Sequence, residues 1–218
     1  MLAVSNVLNN GVLPARLYVP WNLGIAVVIA VVAAASGLRL GDIGVARRSW
    51  RRSVRFGLIG AGAVALVYAV ALLLPLGRSA FDDGRVGSSV SGLLYHVLIQ
   101  IPLGTVLLEE LAFRGVLPAA LGWRDNGRWQ WWPAIGASGL FALWHVLPAA
   151  RVLDQNAAYH DAFGGVPILA SFAAVLAMLL AGLALCWARH VGRGLATPVL
   201  LHLSTNCLGF LVAWLVAR

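Results

Sequence analysis

The sequence predicts an all-α fold: a polytopic transmembrane helix bundle of about six spans, forming a single membrane domain over residues 1–218. Three observations predict it. The 218 residues are 61% hydrophobic and only 11% charged, whereas a soluble domain sits near half apolar and a quarter charged. Six apolar runs each approach the roughly 20 residues a helix needs to cross the hydrocarbon. The alternating pattern of a membrane barrel is absent, and unpaired backbone cannot face lipid, so the runs are helical. The same apolar excess excludes disorder and a coiled coil. A disulfide scaffold is excluded because the two cysteines, Cys186 and Cys207, both fall inside apolar runs.

The first run, 18–36, reads as a retained span. Small residues at 33–37 resemble a cleavage site, but the run exceeds the roughly 7–15 residues of a signal-peptide core and only Arg16 precedes it. The second covers 56–76. The third, 90–117, is longer than a straight span and contains Pro102, which predicts a kink or break. The fourth, fifth and sixth cover 132–149, 166–188 and 195–217.

The net charge of +8 comes entirely from arginine, sixteen residues with no lysine. Most of them flank apolar runs rather than form a soluble basic face, so nucleic acid is not an expected partner and the lipid bilayer is. Loops after the first, third and fifth spans carry ten: Arg39, Arg47, Arg48, Arg51, Arg52, Arg55, Arg124, Arg128, Arg189 and Arg193. The other side carries five: Arg16, Arg78, Arg85, Arg151 and Arg218. The positive-inside rule then places the ten-arginine side in the cytosol and both termini outside, in a multi-pass protein of the cell membrane. Setting topology is the simplest role for residues 47–55, with contact to anionic lipid the alternative. Trp123, Trp129, Trp131 and Trp132 read as an interfacial belt, with substrate contact the sharper alternative.

The acidic residues are the most informative. Asp42, Asp82, Asp83, Asp125, Asp154 and Asp161 all fall in predicted loops, while the only two glutamates, Glu109 and Glu110, are adjacent inside the third span. Arg114 is the single arginine within a span. A charge at mid-helix costs roughly 2.5–3.5 kcal/mol on insertion scales, so three together need a reason. Glu110 and Arg114 stand at i, i+4 with the acid first, the favourable order for an ion pair. Successive helical residues differ by about 100°, so Glu109 projects elsewhere and stays available.

Later spans add His145, four residues after Phe141, and His202 with Asn206, which share one helix face at i, i+4. Glu109 lies eight residues from the cytosolic end of its span, while His145 and His202 lie thirteen and seven from the starts of theirs. At 1.5 Å per residue all three sit roughly 10–20 Å deep and can meet at one level. His160 and His190 fall in loops, and His96 near the outer end of the third span reads as a packing residue.

Glu109-Glu110-Leu-Ala-Phe-Arg114 reads as EExxxR, Phe141-Ala-Leu-Trp-His145 as FxxxH, and His202-Leu-Ser-Thr-Asn206 as HxxxN. In this order on three spans they resemble the CPBP intramembrane endopeptidases, the family of CAAX prenyl proteases and bacteriocin-processing enzymes. The resemblance covers 108–209 as a catalytic core and leaves 1–89, with two accessory spans, outside. It implies an intramembrane endopeptidase acting on a peptide or membrane-anchored protein, at a site nearer the cytosolic face. Glu109 would activate water, which His145 shares. His202 and Asn206 would polarise the scissile carbonyl and hold its oxyanion. Glu110, Arg114 and Phe141 would support the site. Removal from water makes a carboxylate a stronger base, and a dry site strengthens oxyanion hydrogen bonds.

No cofactor is favoured. Glu109, His145 and His202 could ligate zinc in a His₂Glu set, but HExxH is absent and the resemblance includes metal-independent glutamic proteases. Gly136-Ala-Ser138-Gly139 fits the GxSG of rhomboid serine proteases. In rhomboids, however, HxxxN precedes GxSG rather than following it, and that reading leaves the glutamates and Arg114 unexplained. The non-enzyme rivals are a proton-coupled transporter, in which intramembrane Glu and His form relays, and an immunity-type binding protein. No pair of matching broken helices suggests transporter repeats, and the intact polar set favours catalysis over a binding role.

Overall fold

The computed structural model describes residues 2–74, 78, 81, 86–87, 89–148 and 166–218. Among them the chain is a bundle of seven helices without strands: α1 (Leu2–Gly11), α2 (Tyr18–Ala35), α3 (Trp50–Leu73), α4 (Val90–Ala120), α5 (Trp131–Trp144), α6 (Pro167–Gly192) and α7 (Ala196–Val216). Five helical stretches are long and apolar enough to span a bilayer: Ala15–Ala35, Arg47–Leu73, Val90–Ala120, Ile168–Gly192 and Ala196–Val216. The protein is thus a multi-pass membrane protein. Its outward faces carry large apolar side chains, such as Leu58 and Leu66 on α3 and Ile168 and Phe172 on α6, all more than half exposed. That is what lipid-facing helices require.

Without a hydrophobic drive between helices in lipid, close approach and polar contacts hold the bundle together. A Cβ on Gly57 of α3 would stand 2.7 Å from Cδ1 of Leu200 on α7, and one on Gly182 of α6 would stand 2.8 Å from Cβ of Ser138 on α5. Thr197 donates its backbone N–H to Ser53 Oγ at 2.9 Å and its hydroxyl to the Ser53 carbonyl at 2.8 Å, joining α7 to α3. Helix α4 sits in the middle, packed on α2, α5, α6 and α7.

The structure changes or refines four expectations. Within the predicted span 132–149, the 14-residue α5 ends at Trp144, His145 is a turn residue and 146–148 are helical again, so the segment is interrupted rather than one continuous helix. At Pro102 α4 continues but departs from α geometry, in place of the expected kink or break. Pro102 lies inside an 11-residue π-helical stretch, His96–Val106, where wider turns relieve the clash of its ring with the preceding turn and the Leu107 N–H reaches the Pro102 carbonyl. Arg189 and His190 lie in the last turn of α6 rather than in a loop, and Arg189 is buried. Helix α1 has no counterpart among the predicted spans, because ten residues are too few to register as one. The loop placements of Asp82, Asp83, Arg85, Arg151, Asp154, His160 and Asp161 fall outside the described residues.

The arginine-rich segments 39–55, 124–128 and 189–193 meet at one end of the bundle, with Arg51, Arg52 and Arg55 inside α3 rather than in a loop. The Leu195 N–H donates to the Gly44 carbonyl at 2.8 Å, Arg52 Nε to the Val191 carbonyl at 2.9 Å, and Arg189 Nη2 to the Asp42 carbonyl at 2.6 Å. Arg48 stands 3.6 Å from Asp125. The predicted tryptophan belt divides here: Trp123 is buried against Trp129 and Cys186 near His190, while Trp131 and Trp132 are exposed.

Candidate active site

Helix α4 presents its two glutamates from a short α-helical segment, Leu107–Glu110, between two π-helical stretches, His96–Val106 and Leu111–Val116. The Glu110 carboxylate is fully buried, and one of its oxygens does two jobs. Oε1 accepts from Arg114 Nη1 at 3.0 Å and from His202 Nδ1 at 2.7 Å. Arg114 is fully buried as well, with its guanidinium 3.9 Å above the Phe141 ring. Two buried charges need good hydrogen bonds to repay their desolvation; here the i, i+4 pair, the aromatic face and the imidazole act through Glu110 Oε1 and Arg114 Nη1, while Glu110 Oε2 and Arg114 Nη2 are buried without a hydrogen-bond partner among the described residues. Arg189 adds a further tie by donating to the Arg114 carbonyl. Phe141 is the common platform, touching Phe113, His145 and Arg114.

Glu109, one residue earlier, is also buried but differently served. Its Oε1 accepts from Trp144 Nε1 at 3.3 Å. Its Oε2 has no hydrogen-bond partner and stands 3.7 Å from His145 Nε2 and 3.9 Å from His202 Nε2. His145, at the C-terminal end of α5, is held through Nδ1, 2.9 Å from the Phe141 carbonyl. A carbonyl only accepts, so Nδ1 carries a proton, and the other ring nitrogen, Nε2, faces Glu109. On α7 the Asn206 amide nitrogen is 3.2 Å from His202 Nε2.

Glu109, His145, His202 and Asn206 therefore come together, and all four line a cavity of about 840 Å³. Glu110, Arg114 and Phe141 stand directly behind them. His96 is separate, stacked on Phe210 with Nδ1 on the Gly92 carbonyl, as a packing residue would be. Ser138 is buried with Oγ 3.8 Å from Cys186 Sγ, on the face of α5 that packs against Gly182, and is not among the cavity residues. Ser138 and Gly136 are thus explained by helix contact, against Gly182 and Leu121, whereas Gly139 faces open space.

For zinc, the donor atoms as placed stand further apart than the ligands of a bound ion. Neighbouring ligands of a tetrahedral ion with bonds near 2.1 Å stand about 3.4 Å apart, whereas Glu109 Oε2 is 3.7 and 3.9 Å from the two imidazole nitrogens. No group of three His, Cys, Asp or Glu side chains among the described residues is arranged to hold a metal ion.

Several participants escape sequence reasoning. Trp144, Arg189 and the asparagines of α1 and α2 join the site only through long-range contacts. The one local signal was the adjacency of Trp144 to His145. From α1 and α2, Asn6, Asn9, Tyr18 and Asn22 line the cavity. The N-terminal region is therefore part of its wall.

Compared with known families, residues 91–208 match the model described as type II CAAX prenyl endopeptidase Rce1-like. That stretch is more than half of the chain and contains every residue of the three motifs. No curated protein and no solved structure matches the chain.

Proposed function

The chain belongs to the Rce1-like family of type II CAAX prenyl endopeptidases, which makes it an intramembrane protease, and on that premise we propose that Glu109 activates the water that hydrolyses the peptide bond. The supporting observation is that Glu109 Oε2 and His145 Nε2 face each other at 3.7 Å, beyond direct hydrogen-bond distance. A gap of that length between two polar atoms is one that a single water can bridge. Glu109 takes a proton from that water, the hydroxide adds to the scissile carbonyl, and the proton passes to the leaving amine. Proton transfer of this kind contributes typically 10²–10⁴-fold.

Asn206 donates its amide N–H to the scissile carbonyl oxygen and then the oxyanion, and His202 joins it through Nε2 in the doubly protonated form, since Nδ1 already donates to Glu110. Glu110 grips the His202 ring by Nδ1, which turns Nε2 toward Glu109 and Asn206. One such donor is worth about 10²–10³ in rate. Glu110, Arg114 and Phe141 act as support. We propose that the reaction is metal-free, that the substrate is a peptide or membrane-anchored protein, and that the active site opens toward the cytosol with both termini outside. The gathering of the three arginine-rich segments at one end supports that orientation.

The test is cleavage by purified protein in liposomes. A farnesylated CAAX peptide and a broad peptide library serve as substrates, with wild type, Glu109→Gln and Ser138→Ala compared and a chelator arm run alongside. Loss of cleavage in Glu109→Gln alone is the expected result. Loss with chelator points to a metalloprotease, and loss in Ser138→Ala alone to a serine mechanism; either would overturn the reading.

A further inference from the structure

Helix α1 lies outside the stretch that matches the family, yet two sets of hydrogen bonds connect it to both halves of the catalytic pair. On one side, Trp21 Nε1 of α2 donates to Ser5 Oγ at 2.9 Å, and Asn9 Nδ2 donates to Asn22 Oδ1 at 2.6 Å. Asn22 in turn donates to the Gly104 carbonyl at 2.7 Å, five residues before Glu109 on α4. On the other side, Asn6 Nδ2 donates to the Trp144 carbonyl at 2.7 Å, across 138 residues of sequence. That carbonyl belongs to the last turn of α5, where helical carbonyls have no partner within the helix. The same Trp144 gives its indole N–H to Glu109, and His145 is the next residue.

From this juxtaposition we infer that Asn6 is a positioning residue of the proposed protease: it caps the end of α5 and so fixes Trp144 and His145 against Glu109. The inference rests on the glutamate reading above. The physical need is plain. Helix α5 stops at Trp144 inside the bundle, and His145 is a turn residue that separates it from a further helical stretch at 146–148. Without a cap that turn is free to fray, and a displacement of about 1 Å in a reacting group can cost 10²-fold. Asn6 is buried, as is Ser5 beside it, so α1 presents these polar groups to the protein rather than to lipid. Asn6 acts through Trp144, whose carbonyl it holds.

Cleavage kinetics of the farnesylated CAAX peptide test this in the full-length protein. Asn6→Leu should lower kcat about tenfold with KM within twofold, and Trp144→Phe should do the same. Because both act on one arrangement, the double variant should lose little more than the worse single one. Asn6→Gln, which keeps an N–H donor on a longer arm, should recover most of the rate, whereas Asn6→Asp, of equal size but without that donor, should not. Val7→Ala, on the exposed side of α1, should behave as wild type. If Asn6→Leu does not purify as a folded protein, Asn6→Asp set against Asn6→Gln decides the question. A kcat unchanged in Asn6→Asp, or losses that simply multiply with Trp144→Phe, would overturn the inference while leaving Glu109 in place. Full activity in Glu109→Gln would overturn the underlying reading instead.

Discussion

Glu109 and Glu110 are chain neighbours in one short helical segment, equally acidic and both buried, yet the bundle treats them in opposite ways. Glu110 meets a guanidinium and an imidazole at hydrogen-bond distance through the same oxygen. Glu109 meets a single neutral indole donor, and its second oxygen faces two imidazole nitrogens just beyond bonding reach. The difference teaches how a membrane enzyme separates support from chemistry. A carboxylate whose charge is matched holds helices together, because removing either partner strands a charge in a dry interior. Both carboxylates keep one oxygen without a hydrogen-bond partner, so what separates them is the ionic partner: Glu110 has a guanidinium at 3.0 Å, whereas Glu109 has none among the described residues and lines the cavity. On the proposed reading, the turn of the helix gives one glutamate the supporting role and the other the chemistry.

The comparison can be broken or sharpened by substitution, taken here from the largest effect to the smallest. Glu109→Gln should reduce kcat/KM by about 10²–10⁴-fold while its thermal unfolding midpoint in detergent stays near that of wild type. A large loss of stability instead would place Glu109 in the same structural class as its neighbour. Arg114→Met should strand the Glu110 charge and destabilise the fold by about 3–5 kcal/mol, read by thermal or denaturant unfolding. Adding Glu110→Gln to it should restore part of that loss, and failure to do so would argue against a charge-matched pair. Asn206→Ala should cost about 10²–10³ in kcat with stability little changed. Gly182→Val, which drives a side chain into Ser138 across the α5–α6 contact, should destabilise by about 1–3 kcal/mol. Ser138→Ala should leave cleavage within about twofold of wild type, and a greater loss would reopen the serine reading.

Much of this site was legible in the sequence because its logic is local. A helix puts residues four apart on one face, so the Glu110–Arg114 pair and the His202–Asn206 pair could be read from spacing alone. Hydrocarbon makes charges costly, so the confinement of both glutamates to one apolar run marked them. Where the fold departs from local rules, the causes are equally physical. Pro102 signals a kink or break by its ring, and in the fold a π-helical stretch carries α4 through it. Arg189 counted as a topology-setting charge, yet it runs inward to the carbonyls of Arg114 and Asp42. The segment 132–149 was apolar enough for a span and gives a shorter helix, α5, ending at Trp144 just before His145.

By itself, then, the sequence determined the all-α membrane class, the three polar motifs and the pairing of Glu110 with Arg114. Composition, hydropathy and helical periodicity are properties of neighbouring residues and need no knowledge of what lies across the bundle. Only the tertiary structure decided that Glu110 also holds His202, that Trp144 serves Glu109, and that Asn6 of an N-terminal helix reaches the end of α5. Those contacts join residues 35 to 138 positions apart. No local rule encodes them, because they arise when helices pack and each buried polar group must find a partner.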